Sequence, residues 1–347
     1  MAKVIVLLAL MAASVTTADA DAAEFSWQLS GSIGTTERSE AFDADHASLT
    51  ATRYFDRVDD GRGPYALASF LDPASRLSLS VNRDEQTSEI LLPSSTITLS
   101  GLESKTRSYG VSGVYLLPRS KWYFGGHYAS GDIDDPPGSP VLSTDLDDYG
   151  VIVGKYLGAS TTLEFVAETS AVDSEQTFTV CIVFQACFNA GLLGVELELD
   201  TLSLEAYHVR HFRTLTYALF GGVAETDGSF ALRVPSFTLP PIVSPLPPFA
   251  LAPTPPIVVP SAVTVTAPDA VRLVSAGTEL FPTRRLGVRL AYARSHGDPS
   301  SKDAYEVATT WYFRRNVGLQ LGFARRRAGS AAQGDTDHAT LRAIGRF

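Results

Sequence analysis

The chain has 347 residues, a formal net charge of −10 and a sequence pI of ≈ 5.1, so it lacks the basic surface that nucleic-acid binding requires. Hydrophobic residues make up 45% of the chain and charged residues 19%, with a mean hydropathy of +0.07. The 27 glycines, 18 phenylalanines and 13 tyrosines exclude a strongly helical protein. This composition leaves two classes open, a soluble β-sandwich and a membrane β-barrel.

The first residues predict a secretory signal peptide. Lys3 precedes an uncharged apolar run over residues 4–15, which is too short to span a bilayer as a helix. Residues 18–20 and 20–22 are both small-x-small cleavage sites, and we predict cleavage after Ala22. Residues 1–22 are then the signal peptide, and residues 23–347 form an exported mature chain of 325 residues (347 − 22).

The mature chain begins with an alternating segment, residues 25–34. Phe25, Trp27, Leu29 and Ile33 alternate with polar residues, and a period of two predicts a β-strand. The same pattern recurs along the chain and predicts roughly sixteen strands, with twelve to fourteen as the alternative. The further segments are residues 47–54, 77–81, 109–115, 122–128, 149–156, 163–167, 193–199, 202–206, 215–219, 230–232, 271–281, 286–292, 307–313, 317–323 and 338–347.

The predicted connections alternate between tight and long. Tight turns are predicted at residues 117–121, 158–160, 200–201, 281–285 and 313–316, and long polar loops at 84–105, 131–146 and 173–189. Short periplasmic turns opposite long external loops are typical of outer-membrane barrels. Aromatic residues near the tight turns predict an interfacial girdle: Tyr115, Trp122, Tyr156, Phe281, Trp311, Tyr312 and Phe313. The one long periplasmic connection, residues 56–76, is predicted to hold a short helix at residues 66–71.

Residues 235–268 contain eleven prolines, a density that excludes a central strand. The alternation of turns places this segment outside the cell, between the strands near Phe230 and Val271. It is either a solvated polyproline II loop or a lid folded into the barrel mouth. Its many apolar residues favour the lid, because their full solvation is costly.

The last ten residues predict how the sheet closes. Leu341, Ala343, Gly345 and Phe347 lie on one face of a strand, and Arg342 and Arg346 on the other. In an outer-membrane barrel the last strand pairs with the first and removes both sheet edges. We therefore predict an all-β fold, a closed antiparallel transmembrane β-barrel of about sixteen strands with short periplasmic turns and long external loops.

Two segments and the final residue resemble a known family. Residues 63–71 lead into a predicted strand, residues 149–157 lead through a tight turn into residues 161–164, and Phe347 ends the chain. Together they resemble the porin family of Gram-negative outer-membrane β-barrels. The resemblance implies passive diffusion of small polar solutes or ions, insertion in outer-membrane lipid, and Phe347 as a signal for the barrel-assembly machinery. The Pro-Glu-Phe-Gly-Gly motif of trimeric porins has no match, so the oligomeric state, monomer or homo-oligomer, stays open.

Alternation also predicts which charged residues line the pore. The predicted acidic wall comes from strands seven to nine, and the predicted basic residues come from strands four, thirteen and sixteen. In a ring of about sixteen strands the eighth lies across from the last, so the acidic and basic walls are predicted to face each other. The pore-lining set is Glu164, Glu168, Glu196, Glu198, Glu205, Arg107, Arg289, Arg342 and Arg346. Because acidic residues outnumber basic ones in this set, we expect weak cation selectivity.

The remaining chemistry is sparse. Cys181 and Cys187, the two cysteines of an exported chain, predict a disulfide across an external loop. His208 and His211 lie three apart on a strand and point to opposite faces, so they form no metal pair. His127 is predicted to line the lumen, where one histidine is more typical of solvated lining. We predict no enzyme, metal or cofactor; a barrel hydrolase acting on lipid or peptide and a plugged structural or adhesion barrel are the alternatives.

Overall fold

The computed structural model describes residues 24–38, 42–61, 63–91, 98–134, 141–181, 187–212, 215–233, 263–266, 270–297, 302–327 and 335–347. The helical structure within them is a 3₁₀ turn, Tyr65–Leu67, and the helix α1, Ala68–Leu71, which confirms the short helix predicted in this connection. No helix of these residues is long and apolar enough to cross a membrane. The strands are β1 (Glu24–Arg38), β2 (Phe42–Asp59), β3 (Arg76–Leu91), β4 (Thr98–Leu116), β5 (Trp122–Asp134), β6 (Val141–Tyr156), β7 (Thr161–Cys181), β8 (Cys187–Phe212), β9 (Leu215–Arg233), β10 (Val263–Thr266), β11 (Val271–Thr283), β12 (Leu286–His296), β13 (Lys302–Arg314), β14 (Val317–Arg327) and β15 (Thr336–Arg346).

The strands form one closed antiparallel sheet. Each strand pairs with its neighbour along the chain, β9 pairs with both β8 and β11, and β15 returns to pair with β1. The short β10 pairs only with β9, so fourteen of the fifteen strands make up the ring. Beyond β15, the backbone of Phe347 adds three hydrogen bonds of 2.7–3.0 Å to Ser26 and Trp27. The predicted closed all-β barrel is therefore confirmed.

The predicted strand number is wrong by two. Residues 193–199 and 202–206 belong to one strand, β8, and residues 215–219 and 230–232 belong to β9, so 16 − 2 = 14 strands form the ring. No turn exists at Asp200 and Thr201, where β8 continues without a register shift. The apolar pattern changes phase there because the outer face is apolar at Leu204 and Leu202 and charged beyond them, at Asp200 and Glu198.

The two faces of the barrel wall differ in chemistry. Large apolar side chains stand exposed on the outer face, among them Leu79, Val111, Val151, Leu204, Val223, Val307 and Leu321. The aromatic residues near the tight turns divide between the faces. Tyr115, Trp122, Trp311 and Phe313 are exposed on the outside, as an interfacial girdle requires.

The other three residues of the predicted girdle point into the barrel. Phe281 and Tyr312 are 2% and 1% exposed, and Tyr156 is partly buried. The sequence-based assignment failed because it used only nearness to a turn, whereas neighbouring residues of a strand, such as Trp311 and Tyr312, occupy opposite faces. Their inward position gives the connection between β2 and β3 an apolar surface on which to pack.

That connection, residues 60–75 without residue 62, is named the mouth segment here. It lies inside the end of the barrel where β1 begins and β15 ends. Leu67 packs against the inner-face residues Val209, Ala218 and Phe281 of β8, β9 and β11. Ala68 and Ala74 pack on the opposite side with Phe25, Tyr54 and Val58 of β1 and β2. The mouth segment thus contacts both sides of the ring and narrows the lumen at this end.

Several predictions fall outside the described residues. The signal peptide, residues 1–22, lies wholly outside them. Of the proline-rich segment 235–268, only Val263–Thr266 is described, and it adds to β9 as β10. Whether the rest forms a loop or a lid stays a prediction.

Candidate functional site

The acidic side of the lumen is built by β6, β7 and β8. Glu164 of β7 is paired in register with Glu205 of β8, and Glu168 lies two inward positions further along β7. Tyr123 of β5 donates its phenol hydrogen to Glu164 Oε2 at 2.8 Å, which fixes this carboxylate on the inner face. Strict alternation then places Glu164, Glu168 and Glu205 inside the barrel.

The basic residues of β15 lie across the lumen. In a ring of fourteen, β7 and β15 are seven strands apart and therefore diametrically opposed. Arg342 lies on the inner face, exposed to the lumen, and donates to Ser30 Oγ at 3.0 Å. The acidic side, with Glu164 and Glu168, and the basic side, with Arg342, therefore face each other across the lumen, as expected.

Arg289 and Arg346 lie on the inner face in different settings. Arg289 Nε is 3.4 Å from Glu306 Oε1, and its guanidinium carbon lies 4.2 Å from the centre of the Phe220 ring. Arg346 is 4% exposed and donates to Gln28 Oε1 and to the backbone oxygen of Tyr65 in the mouth segment. Arg346 therefore binds the mouth segment and does not line open lumen.

Three residues of the predicted pore lining lie on the outer face. Glu196 and Glu198 are paired in register with Asp173 and Ala171, which share the outward phase of Phe165. Their assignment to the lumen is wrong because it assumed a turn at residues 200–201, which would have changed the phase of the strand. Arg107 shares the phase of the exposed Tyr109 and Val111 on β4, so it also points outward.

Among the register-paired residues whose side chains the structure describes, alternation places seven acidic and six basic side chains on the inner face. The acidic set contains four residues outside the predicted pore-lining set, Asp84, Asp148, Glu279 and Glu306. The acids are Asp84, Asp148, Glu164, Glu168, Glu205, Glu279 and Glu306, and the bases are Arg76, Arg289, Lys302, Arg326, Arg342 and Arg346.

An aromatic row joins the mouth segment to the inner face of β5, β6 and β8. Phe70 of α1 lies 5.9 Å from Tyr156 and 4.8 Å from Tyr207, measured between ring centres, and Tyr156 lies 5.4 Å from Tyr123. Tyr207 donates to Glu279 Oε2 at 3.3 Å. A cavity of about 440 Å³ adjoins this row and is lined in part by Glu164, Glu205, Tyr207, Phe220, Arg289 and Glu306. The narrow part of the lumen therefore presents carboxylates and aromatic rings together.

Arginines from the neighbouring turns hold the mouth segment in place. Arg315, between β13 and β14, donates to Asp60 Oδ1 from Nε at 2.6 Å and from Nη2. Arg284, between β11 and β12, donates to the backbone oxygens of Asp60 at 2.6 Å and Gly63 at 2.9 Å. The hydrogen bond from Arg315 to the Asp60 carboxylate raises the pKa of the guanidinium above its ordinary value. Asp60 itself is 3% exposed, so this contact is a shielded ion pair.

His127 has more neighbours than the sequence analysis expected. The β4–β5 register places Ser112 directly opposite His127, and the β5–β6 register brings Asp148 within reach of its ring. His127 Nε2 lies 3.3 Å from Asp148 Oδ1, but no hydrogen bond joins Ser112 and His127 among the described residues. A nucleophile activated by a base is therefore not formed by this pair.

The two cysteines meet in the backbone ladder. Cys181 ends β7, Cys187 begins β8, and the two are register partners. Their side chains lie outside the described residues, so the disulfide between them stays a prediction.

Comparisons with known proteins reveal the fold alone. No family model matches the chain, and no curated protein matches its sequence. Among solved structures, the toluene transporter TbuX of Ralstonia pickettii is similar over 93% of this chain and 90% of its own, with a TM-score of 0.53 and 9% identity. The deltaS2S3 mutant of the monoaromatic hydrocarbon channel TodX is similar over 93% and 90%, with a TM-score of 0.51 and 12% identity. Omp33, an outer membrane protein of Acinetobacter baumannii, is similar over 94% and 99%, with a TM-score of 0.48 and 15% identity. The chain therefore shares its fold with TbuX and the TodX mutant.

Proposed function

We propose that the chain is an outer-membrane porin that forms a water-filled channel for passive diffusion of small polar solutes and ions. The observation that carries this proposal is that the closed barrel has an apolar outer face and a polar inner face. Its outer face exposes apolar residues such as Leu321, 63% exposed, and Val151, 57% exposed. Burying a Leu or Val side chain in an apolar phase stabilises it by ~1.5–3 kcal/mol, so a belt of them favours lipid strongly over water.

Exposed aromatic side chains lie at both edges of this apolar belt. Trp311 and Phe313 are exposed near one end of β13, and Tyr305 is exposed six residues before Trp311. On β12, Tyr292 donates its phenol hydrogen to Asp303 Oδ1 at 2.7 Å, so its ring faces outward with a polar tip. Aromatic rings at both edges of an apolar band are the pattern of transmembrane barrels. We further propose export by the predicted signal peptide and recognition of Phe347 by the barrel-assembly machinery.

The inner face supports polar solutes. Its charged side chains and the tyrosine hydroxyls of the aromatic row would interact with hydrated ions and form hydrogen bonds with polar solutes. Two of the proteins that share the fold carry hydrocarbons according to their names, which supports use of the fold as a channel. The charged lumen of this chain favours a polar cargo instead.

Liposome swelling tests the channel proposal. Purified protein is reconstituted into liposomes, which are then diluted into iso-osmotic sugars of increasing size. Small sugars should enter and swell the liposomes, and a size cut-off should appear because the mouth segment narrows the lumen. Liposomes carrying heat-unfolded protein are the control. Absence of swelling by the folded barrel with every sugar would contradict the proposal.

We further propose weak cation selectivity, because acidic side chains exceed basic ones by one among the described, register-paired residues of the inner face, and Arg346 is buried against the mouth segment. The test is the reversal potential across a salt gradient. Replacing Glu164 and Glu205 by Gln should move it toward anion preference. The matched control replaces Glu196 and Glu198 by Gln, which removes the same charge from the outer face and should leave it unchanged. Equal shifts in both variants would mean that the lumenal carboxylates do not control permeation.

A further inference from the structure

Three potential metal ligands converge on the acidic side of the lumen. His127 of β5, Asp148 of β6 and Glu168 of β7 come from three consecutive strands and point inward. His127 Nε2 lies 3.3 Å from Asp148 Oδ1 and 3.8 Å from Glu168 Oε2. One ligand atom from each residue lies within 4.8 Å of the others. Ser170 Oγ, the inner-face neighbour of Asp148, donates to its Oδ1 at 3.5 Å.

A glycine makes this convergence possible. Gly150 lies on β6 directly between His127 and Glu168 in the ladder. A Cβ at position 150 would lie only 2.5 Å from His127 Cε1 and 3.1 Å from Nε2. The imidazole therefore lies across the bare backbone of Gly150, and this position carries its Nε2 over β6 to Glu168. Any side chain at position 150 would push the ring away from the two carboxylates.

We propose that His127, Asp148 and Glu168 form a binding site for a divalent transition-metal ion, with Zn²⁺ as the best match. Zinc binds imidazole nitrogen at ~2.0–2.1 Å and carboxylate oxygen at ~2.0–2.2 Å, so neighbouring ligands of a tetrahedral site lie ~3.3–3.6 Å apart. The 3.3 and 3.8 Å separations around His127 Nε2 match this spacing within a few tenths of an ångström. Three protein ligands leave a fourth position open to a lumenal water.

The ligand set also selects the class of metal. Two carboxylates supply the charge that attracts a divalent cation, and the imidazole nitrogen favours zinc and related transition metals over calcium and magnesium, which take oxygen ligands. The side chains of His127, Asp148 and Glu168 are 21%, 41% and 37% exposed, so an ion in the lumen can reach them. This proposal does not depend on conduction, because the site exists whether or not the lumen is open.

Titration calorimetry of the folded barrel in detergent, without a polyhistidine tag, tests the proposal. Zn²⁺ should bind with one-to-one stoichiometry, and Ca²⁺ should bind at least about tenfold more weakly. His127→Gln and Glu168→Gln should each weaken Zn²⁺ binding by at least about tenfold. Asp147→Asn is the matched control, because it removes an adjacent carboxylate from the outer face and should leave binding unchanged. Heat-modifiable migration on gels verifies that each variant is folded.

The role of Gly150 gives a second and independent variant. Gly150→Ala keeps all three ligands but moves the imidazole, so Zn²⁺ binding should weaken while the barrel stays heat-modifiable. If this variant fails to fold, His127→Gln and Glu168→Gln still decide the question. Wild-type protein that binds no Zn²⁺ at millimolar concentration, or ligand variants that bind it like the wild type, would overturn the proposal. Tighter binding of Ca²⁺ than of Zn²⁺ would also overturn it, because the imidazole would then contribute nothing.

Discussion

The contact between Arg315 and Asp60 controls how firmly the mouth segment is held, and replacing Arg315 by Ala should loosen it. The Asp60 side chain is 4% exposed and the Arg315 side chain 27% exposed. Both hydrogen bonds from the guanidinium end on the same carboxylate oxygen, so we count them as one charge-assisted interaction. Such an interaction contributes ~1.5–3 kcal/mol, and the partial exposure of Arg315 favours the lower end of that range.

The free energy of the Arg315–Asp60 interaction sets how much its loss increases the fraction of molecules with a displaced mouth segment. Since ~1.4 kcal/mol corresponds to a factor of ten, Arg315→Ala should raise the population with a displaced mouth segment by about tenfold, and by about a hundredfold at the upper limit. The segment remains attached through Arg284 and Arg346, so most molecules should keep the narrow lumen. The variant should therefore show rare, larger conductance levels rather than a uniformly wider pore.

Single-channel recording in planar bilayers measures this population as the fraction of time spent in high-conductance levels. Arg314→Ala is the matched control, because Arg314 is an exposed arginine one residue earlier in the chain. It should behave like the wild type. If Arg315→Ala gives the same conductance levels and dwell times as the wild type, the Asp60 contact does not restrain the segment, and our account of the mouth is incorrect.

Other predictions concern the cysteines and the closing strand pair. Unreduced, denatured protein should show no free thiol on labelling, because Cys181 and Cys187 are register partners; two reactive thiols would refute the disulfide. Deleting Phe347 removes three backbone hydrogen bonds between the ends of the barrel and should lower the fraction of heat-modifiable protein on gels, whereas Phe347→Tyr should not. Equal folded fractions for the deletion and Phe347→Tyr would show that this residue does not help close the barrel.

Local pattern was sufficient to predict most of the wall. Residues 27–34 and 317–323 alternate between an apolar outer face and an inner face without large apolar side chains, and the structure shows both as parts of strands. The closing pair of β1 with β15 followed from the same logic. Prediction failed where this environment changes along a single strand, as at Asp200 in β8, where the outer face becomes polar without a turn.

The candidate site was only partly predictable, because it depends on register between strands. Alternation placed Glu164 and Arg342 on the inner face, and the predicted ring placed them on opposite sides, but the true number of strands came only from the pairing in the closed sheet. The link between His127 and Glu168 depends on two strand registers and on Gly150, none of which a single strand reveals. The inward positions of Phe281 and Tyr312 became clear only with the mouth segment packed against them.

The central claim is that the barrel conducts, and single-channel current through wild-type protein in a planar bilayer tests it most directly. Detergent-purified, heat-modifiable protein is added to one side of a bilayer in symmetrical salt, and the same amount of heat-unfolded protein is the control. The account predicts discrete, steady current steps with the folded protein and none with the control. A silent bilayer, with insertion of the folded barrel verified by its protection from protease, would contradict the claim that the lumen is a diffusion channel.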